Sequence, residues 1–279
     1  MTTYADEIAR GERFPFGNNW RRFLDRFDER MLEGAVDSLR QILGVSTLAG
    51  RRFLDAGCGS GVFSLAATRL GAAVHAFDYD AESVSCALEL RRRHGADGCD
   101  WVIEQGSVLD KDYLSSLGYF DVVYSWGVLH HTGAMWKAIQ NVSAAVLPRG
   151  KLCLALYNDA GAASRRWAHL KALYNRVPAV RPLLILFGLL RLRSGLLVRG
   201  FLSGHPLRVW RSYGNERRSM SAWYDLIDWL GGYPYEYASR EGVEQFLWGL
   251  GFRLDRLTSV GNGLGCNEFL FERVDSSGP

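Results

Sequence analysis

Cysteine is sparse and scattered in this chain of 279 residues. Its five cysteines, Cys58, Cys86, Cys99, Cys153 and Cys266, are odd in number and never spaced C-x-x-C. That excludes an obvious zinc site or disulfide framework and fits reduced thiols in a cytosol. Long apolar runs are also missing. The longest, Leu183 to Leu190, is too short to span a bilayer and is followed by Arg191 and Arg193. The opening Met1-Thr2-Thr3-Tyr4-Ala5-Asp6-Glu7 is acidic without an apolar run, so no secretory signal is legible and a cytoplasmic location is expected. Internal repeats and low-complexity tracts are absent. The 48% hydrophobic content argues against general disorder, and the length suits one α/β domain with an added subdomain.

What is present is an alternation of short strands and helices. Residues 19–43 read as two amphipathic helices, one with Trp20, Phe23, Phe27 and Met31 on a face, the next with Leu32, Val36, Leu39 and Leu43, stopped by Gly44. Strand-like runs follow at Arg51 to Ala56, Ala73 to Phe77, Trp101 to Glu104, Phe120 to Ser125 and Lys151 to Tyr157. Helices are expected over Val62 to Leu70, from Asp80 to about Arg92, and from Thr132 onward with Met135, Trp136, Ile139 and Val142 in phase. Such βαβ units imply a Rossmann-like, doubly wound parallel sheet that takes ligands at the carboxyl ends of its strands. After Tyr157 the alternation stops for about 80 residues. It resumes with a helix capped by Ser239 and a closing hairpin from Arg253 to Arg273. The expected organisation is an N-terminal helical cap (1–49), a split nucleotide-binding domain (50–158 and 239–274) and a helical insertion (159–238) after the fifth strand.

The first strand runs into Asp55-Ala56-Gly57-Cys58-Gly59-Ser60-Gly61. A strand-to-helix loop of this kind leaves backbone N–H groups free, and its glycines let a ligand approach the main chain. The dinucleotide fingerprint fails, because its last glycine would fall on Val62. A carboxylate directly ahead of the glycines, Asp55, would repel a pyrophosphate and attract an ammonium or sulfonium. Both features disfavour a dehydrogenase. Asp78 ends the second strand, where an acid can accept both ribose hydroxyls, and Tyr79 offers an aromatic face for adenine.

Phe53-Leu54-Asp55-Ala56-Gly57-Cys58-Gly59-Ser60-Gly61 resembles the first motif of class I S-adenosylmethionine-dependent methyltransferases. Phe77-Asp78-Tyr79-Asp80, Gly106-Ser107-Val108-Leu109-Asp110 and Phe120 to His131 follow in the family's order. The likeness covers roughly residues 50 to 157 and is greatest to the small-molecule branch that includes the ubiquinone-biosynthesis O-methyltransferases. It implies a seven-stranded sheet with the last strand antiparallel, S-adenosylmethionine as cofactor and S-adenosylhomocysteine as product. By resemblance, Asp55 and Gly57 sit at the methionine end, Asp78 holds the ribose, and Gly59 and Gly61 belong to the same cofactor-binding turn. Ser107 and Val108 border the adenine, and Ser125 and Trp126 line the cofactor floor.

Methyl transfer is an in-line displacement, so the protein supplies positioning and, for a hydroxyl or a protonated amine, a base. His131, ahead of His130, is the candidate base at the end of the fourth strand; the alternative, that the pair orders the loop or touches the cofactor, stays open. Tyr157 and Asn158 end the fifth strand beside the expected substrate. Asp159 joins them in orienting a hydroxyl or caps the next helix. The fourth strand ends in Ser125-Trp126-Gly127 without a carboxylate, so no metal is expected.

Between Ala160 and Met220 the only acid is Glu216, against twelve bases, nearly all arginine and interleaved with aromatics. Three readings compete: a lid for a small, anionic or amphipathic acceptor; peripheral docking on an anionic membrane; and nucleic-acid binding. The first is preferred because no RNA-binding module and no single-sign tail are visible. The expected function is methyl transfer to an oxygen, less readily nitrogen or carbon, of a small metabolite. An RNA methyltransferase and a non-catalytic sensor of S-adenosylmethionine are the alternatives. Oligomeric state is not legible.

Overall fold

A computed structural model of the chain describes residues 4–95, 98–190 and 222–275. Its centre is a seven-stranded sheet in the order β3-β2-β1-β4-β5-β7-β6. The strands are β1 (Arg52–Ala56), β2 (Ala73–Asp78), β3 (Trp101–Gln105), β4 (Phe120–Trp126), β5 (Val146–Tyr157), β6 (Phe252–Thr258) and β7 (Cys266–Arg273). β1 to β5 run parallel, and β7 enters antiparallel between β5 and β6. Seven strands with the last reversed is the architecture the motifs imply.

Helices cover both faces. On one, α3 (Glu29–Leu43), α4 (Val62–Arg69) and α5 (Ala81–Arg93) bury Leu32, Leu39, Leu65 and Leu90 against Phe53 and Tyr124. On the other, α6 (Lys111–Ser116), α7 (Met135–Ala144) and a late helix, α11 (Arg240–Gly249), bury Leu114, Ile139, Val142 and Leu247 against Leu54, Phe77 and Leu154. This two-sided burial is why the central strands read as nearly continuous apolar runs.

Several boundaries depart from expectation for identifiable reasons. α2 (Gly17–Leu24) ends before Phe27, and Asp28 starts α3 by accepting from the Met31 amide, so Phe27 and Met31 do not continue the α2 face. β5 begins five residues early, at Val146, because Phe120 pairs with Val146 ahead of an irregularity between Phe120 and Val122. Thr132 does not cap α7. Residues Leu129–His131 form a short 3₁₀ turn, and the α7 cap comes from far along the chain: both carboxylate oxygens of Glu236 reach the Met135 amide, at 3.0 and 3.1 Å. Two helices carried no strong pattern: α6, capped by Asp110, and α1 (Tyr4–Ala9).

The chain leaves the sheet at Asn158 and returns at Ala238. These residues form an isolated bridge, with Ala238 N–H donating to the Tyr157 carbonyl and Asp159 N–H to the Ala238 carbonyl, each at 3.0 Å. Between them lie α8 (Ala162–Arg176), a bent continuation α9 (Pro178–Leu190) and α10 (Ala222–Gly231). Trp167, Tyr174, Leu184 and Leu230 build a third apolar cluster with Phe14 from the N-terminal segment. Arg191, Arg193, Arg199, Arg208, Arg211, Arg217, Arg218 and Glu216 lie outside the described residues. Among the described residues no single helix is long and apolar enough to cross a membrane.

Candidate active site

The glycine turn sits at the carboxyl end of β1, clamped to β2 by Gly57 and Cys58 amides donating to the Phe77 carbonyl at 2.9 and 3.0 Å. Gly57 has φ +86°, and a Cβ there would come within 2.3 Å of the Val128 methyl. A side chain is therefore excluded twice, by backbone conformation and by space. A Cβ on Gly59 would meet the Trp20 ring at 2.8 Å, so α2 lies directly on the turn. Gly61 opens α4 as its N-cap.

Two carboxylates flank this turn. Asp55 is buried and accepts the Ser64 hydroxyl at 2.5 Å. Asp78 accepts the Gly59 amide at 2.9 Å and, through its other oxygen, the Asp80 amide at 2.9 Å. Desolvation pushes Asp55 up to about 7 and Asp78 up to about 6, and the Asp78 charge adds to the rise at Asp55. A buried carboxylate is relieved by a positive charge brought to it, so this turn suits a cation and repels a phosphate. Asp55 is buried, while Asp78 is partly exposed.

Beside them, Tyr79 meets Tyr4 edge to face at 5.3 Å, and the Arg13 guanidinium lies over its ring at 5.2 Å. The Val108 carbonyl is held by Asn141 at 3.0 Å, and the Ser107 hydroxyl accepts the Leu109 amide. Ser125, expected on the cofactor floor, is bonded within the protein. It is fully buried and donates to the Ala56 carbonyl at 2.7 Å, so it ties β4 to β1 below the site and offers no surface to a cofactor. Trp126 stacks on Tyr124 with centroids 5.6 Å apart and keeps some exposed surface.

The histidines at the end of β4 are held in opposite tautomers. Nδ1 of His131 lies 2.6 Å from the Pro234 carbonyl, which can only accept, so Nδ1 carries the proton and Nε2 the lone pair. Nδ1 of His130 accepts the Tyr157 amide at 3.2 Å, so its proton sits on Nε2. Burial, aided by the Lys171 charge, lowers His131 to about 3, and burial likewise pushes His130 well below its usual value. Both are neutral at physiological pH. One free nitrogen donates and the other accepts, a distinction that adjacency in sequence cannot make.

Asn158, expected beside the substrate, is likewise bonded within the protein. Its Nδ2 donates to the Gly261 and Gly263 carbonyls at 2.9 Å each, and its Oδ1 accepts from Asn267 at 2.9 Å. The amide is consumed in holding the β6–β7 turn and has no donor left for a substrate. Asp159 accepts the Gly161 amide at 2.8 Å in a turn just ahead of α8, whose N-terminus has no side-chain cap. Tyr157 is the hub of the region, its ring 3.9 Å from His130, 5.4 Å from His131 and 4.8 Å from Tyr235. The buried Lys171 ammonium lies 5.7 Å from the Tyr157 ring, 4.6 Å from Trp229 and 4.9 Å from Tyr235, and donates to the Trp229 carbonyl.

Sequence reasoning missed three contributors. Lys171 falls between Trp167 and Tyr174 on the inward stripe of α8, and that helical spacing was the available signal. Glu236, which donates its amide to the His130 carbonyl besides capping α7, lies in a short return segment with no legible pattern. Arg13, whose Nη1 donates to the His131 carbonyl at 2.8 Å, comes from the far end of the chain. Among the described residues no cluster of three or more His, Cys, Asp or Glu is placed to hold a metal.

The fold, the glycine turn and the two acids define a class I methyltransferase domain, and the cofactor of that class is S-adenosylmethionine. Residues 48–186, about half of the chain, match the profile of a methyltransferase domain family, and the chain belongs to that class. It is 34% identical over 116 residues, 42% of its length and 47% of the relative's, to a ubiquinone biosynthesis O-methyltransferase of Xanthomonas oryzae. It is 31% identical over 136 residues, 49% of its length and 38% of the relative's, to a tRNA U34 carboxymethyltransferase of Methylococcus capsulatus. The chain thus spans less than half the length of either. A magnesium protoporphyrin IX methyltransferase from Synechocystis, solved with S-adenosylhomocysteine, shares the fold at 17% identity with TM-score 0.55, covering 95% of this chain and 98% of that one.

Proposed function

We propose that this chain transfers a methyl group from S-adenosylmethionine to an oxygen of a small metabolite. The observation that carries the reading is the pairing of a cation-seeking turn with two histidines of opposite hydrogen-bonding sense. S-adenosylmethionine supplies an activated methyl carbon for in-line displacement. Asp55 and Asp78 attract its cationic end, Asp78 presents oxygens to its ribose, and Tyr79 and Val108 flank its adenine. Nε2 of His131 accepts the proton of an acceptor hydroxyl, and Nε2–H of His130 donates to the oxygen. Tyr157, Tyr235 and Trp229 exclude water around them. The acceptor lies in reach of the insertion between Asn158 and Ala238, which acts as its lid.

The test is detection of S-adenosylhomocysteine and a methylated product from a metabolite extract, with Asp78→Ala as the dead control. Tight cofactor binding without product under any acceptor would instead make the chain a sensor. An RNA acceptor is the second reading, favoured by the tRNA-modifying relative and the arginine-rich insertion. Salt-dependent retention on tRNA, with methyl transfer to it, would favour that reading over the first.

A further inference from the structure

One face of α9 is apolar and open to water. Leu183, Leu186, Phe187 and Leu190 recur at three- and four-residue spacing, so they form one stripe about two turns long. Leu183 is 67% exposed and Leu190 58%. The opposite face already holds the helix in place. Leu184 is buried in the third apolar cluster, and a Cβ on Gly188 would come within 2.7 Å of the Leu226 side chain on α10. The stripe is therefore left over once α9 is packed, and a contiguous apolar patch of this kind marks a contact surface. On α8, which meets α9 at a bend of 112°, Leu173 and Val177 are exposed as well.

Charge says what this surface meets. The whole chain is nearly balanced, with 33 bases to 30 acids, yet no acid occurs from Ala160 to Leu190. Arg165, Arg166 and Arg176 are exposed on the same side of α8 as Leu173 and Val177, and Arg181 opens α9. Among the described side chains none of these four arginines meets a carboxylate. Arg176 donates to the Tyr233 hydroxyl, and Arg181 to the Tyr174 and Asn175 carbonyls. Aliphatic groups beside guanidiniums fit the interface of an anionic bilayer, where the first reach the acyl boundary and the second meet phosphates. A symmetric pair of chains joined through this face would set like charges against each other. A nucleic acid would engage the arginines and gain little from the leucines. We infer that α8 and α9 dock the chain peripherally on an anionic membrane, with the α9 stripe inserted and the arginines on the lipid headgroups. This surface is separate from the glycine turn, and the inference stands independently of the methyltransferase reading.

Co-sedimentation of the full chain with vesicles tests it, using phosphatidylcholine alone and an equal mixture with phosphatidylglycerol. The chain should bind the mixed vesicles, bind the neutral ones about tenfold or more weakly, and let go as salt is raised. Leu186→Gln with Phe187→Gln should weaken binding to mixed vesicles about tenfold or more, and so should Arg165→Gln with Arg166→Gln. All four residues are exposed, so the melting temperature should hardly move. Should the first pair fail to fold, Leu183→Gln with Leu190→Gln takes its place. No binding to mixed vesicles, equal binding to neutral ones, or binding that survives loss of the stripe overturns the proposal. So do two results obtained without vesicle binding: stripe-dependent dimers in sedimentation velocity, which give the face to a second copy, and retention on tRNA that needs the arginines but not the stripe.

Discussion

The Pro234 carbonyl stands 2.6 Å from Nδ1 of His131 and thereby decides which nitrogen of that ring is basic. The two residues are 103 positions apart. The segment 233–236, which returns the chain to the sheet, contacts His131 through Pro234, His130 and α7 through Glu236, and Tyr157 through Tyr235.

Replacing His131 by Ala should lower kcat by about 10²–10⁴ with cofactor affinity nearly unchanged. Steady-state kinetics with calorimetry of S-adenosylhomocysteine checks it. Retention of most activity would reduce the residue to a loop-ordering role. Because His131 is lowered to about 3, no activity limb near its usual 6.5 should arise from it. By the same sign, its depressed folded value contributes stability that is present above 6.5 and is lost as pH falls toward 3.

Asp55 and Asp78 are raised from 3.8 to about 7 and about 6. Their contribution to the stability of the ligand-free chain is full below 3.8 and is lost as pH rises through 6 and 7. A cationic ligand prefers the ionised carboxylates, so S-adenosylmethionine affinity should rise with pH over that window, with proton release. Calorimetry at pH about 6 in buffers of different ionisation enthalpy measures it. A buffer-independent heat, unchanged in Asp55→Asn, would contradict the assignment.

Gly57→Ala should cost about 1–2 kcal/mol from its left-handed backbone alone, with a further penalty from the Val128 contact. Thermal melts of Gly57→Ala, Val128→Ala and the double variant separate the two. The double variant should recover the part of the steric penalty due to the Val128 methyls and keep the rest, since the Val128 Cβ itself lies 2.9 Å from the added Cβ. Full recovery would mean the turn tolerates a side chain.

Asn158→Ala should destabilise the fold by roughly 1–3 kcal/mol, because it strips partners from Asn267 and from the Gly261 and Gly263 carbonyls. Acceptor KM measured well below the melting temperature should barely change. A large, isolated rise in KM would return the residue to substrate binding.

Tyr4→Phe removes the hydroxyl that donates to Asp80 at 2.7 Å, where Gly17 N–H also donates at 2.8 Å. Asp80 thus fastens the N-terminal segment beside Asp78. Release of S-adenosylhomocysteine in stopped-flow should accelerate severalfold, with the melting temperature little changed. An unchanged release rate would show that the segment does not gate the site.

The alternation of short apolar runs with glycine and acid punctuation determined the sheet, its parallel half and the closing hairpin, since each element's period and cap are local properties. The glycine turn and the acids around it were legible for the same reason: they occupy one strand end and its neighbour. Tertiary structure alone decided the tautomers of His130 and His131, the withdrawal of Ser125 and Asn158 into internal bonds, and the burial of Lys171 among three rings. Each depends on partners 14 to 109 residues away, from Tyr157 beside Lys171 to Asn267 beside Asn158. Hydrogen-bond direction and burial belong to such pairs and not to either residue, so no reading of a single stretch of chain could have supplied them.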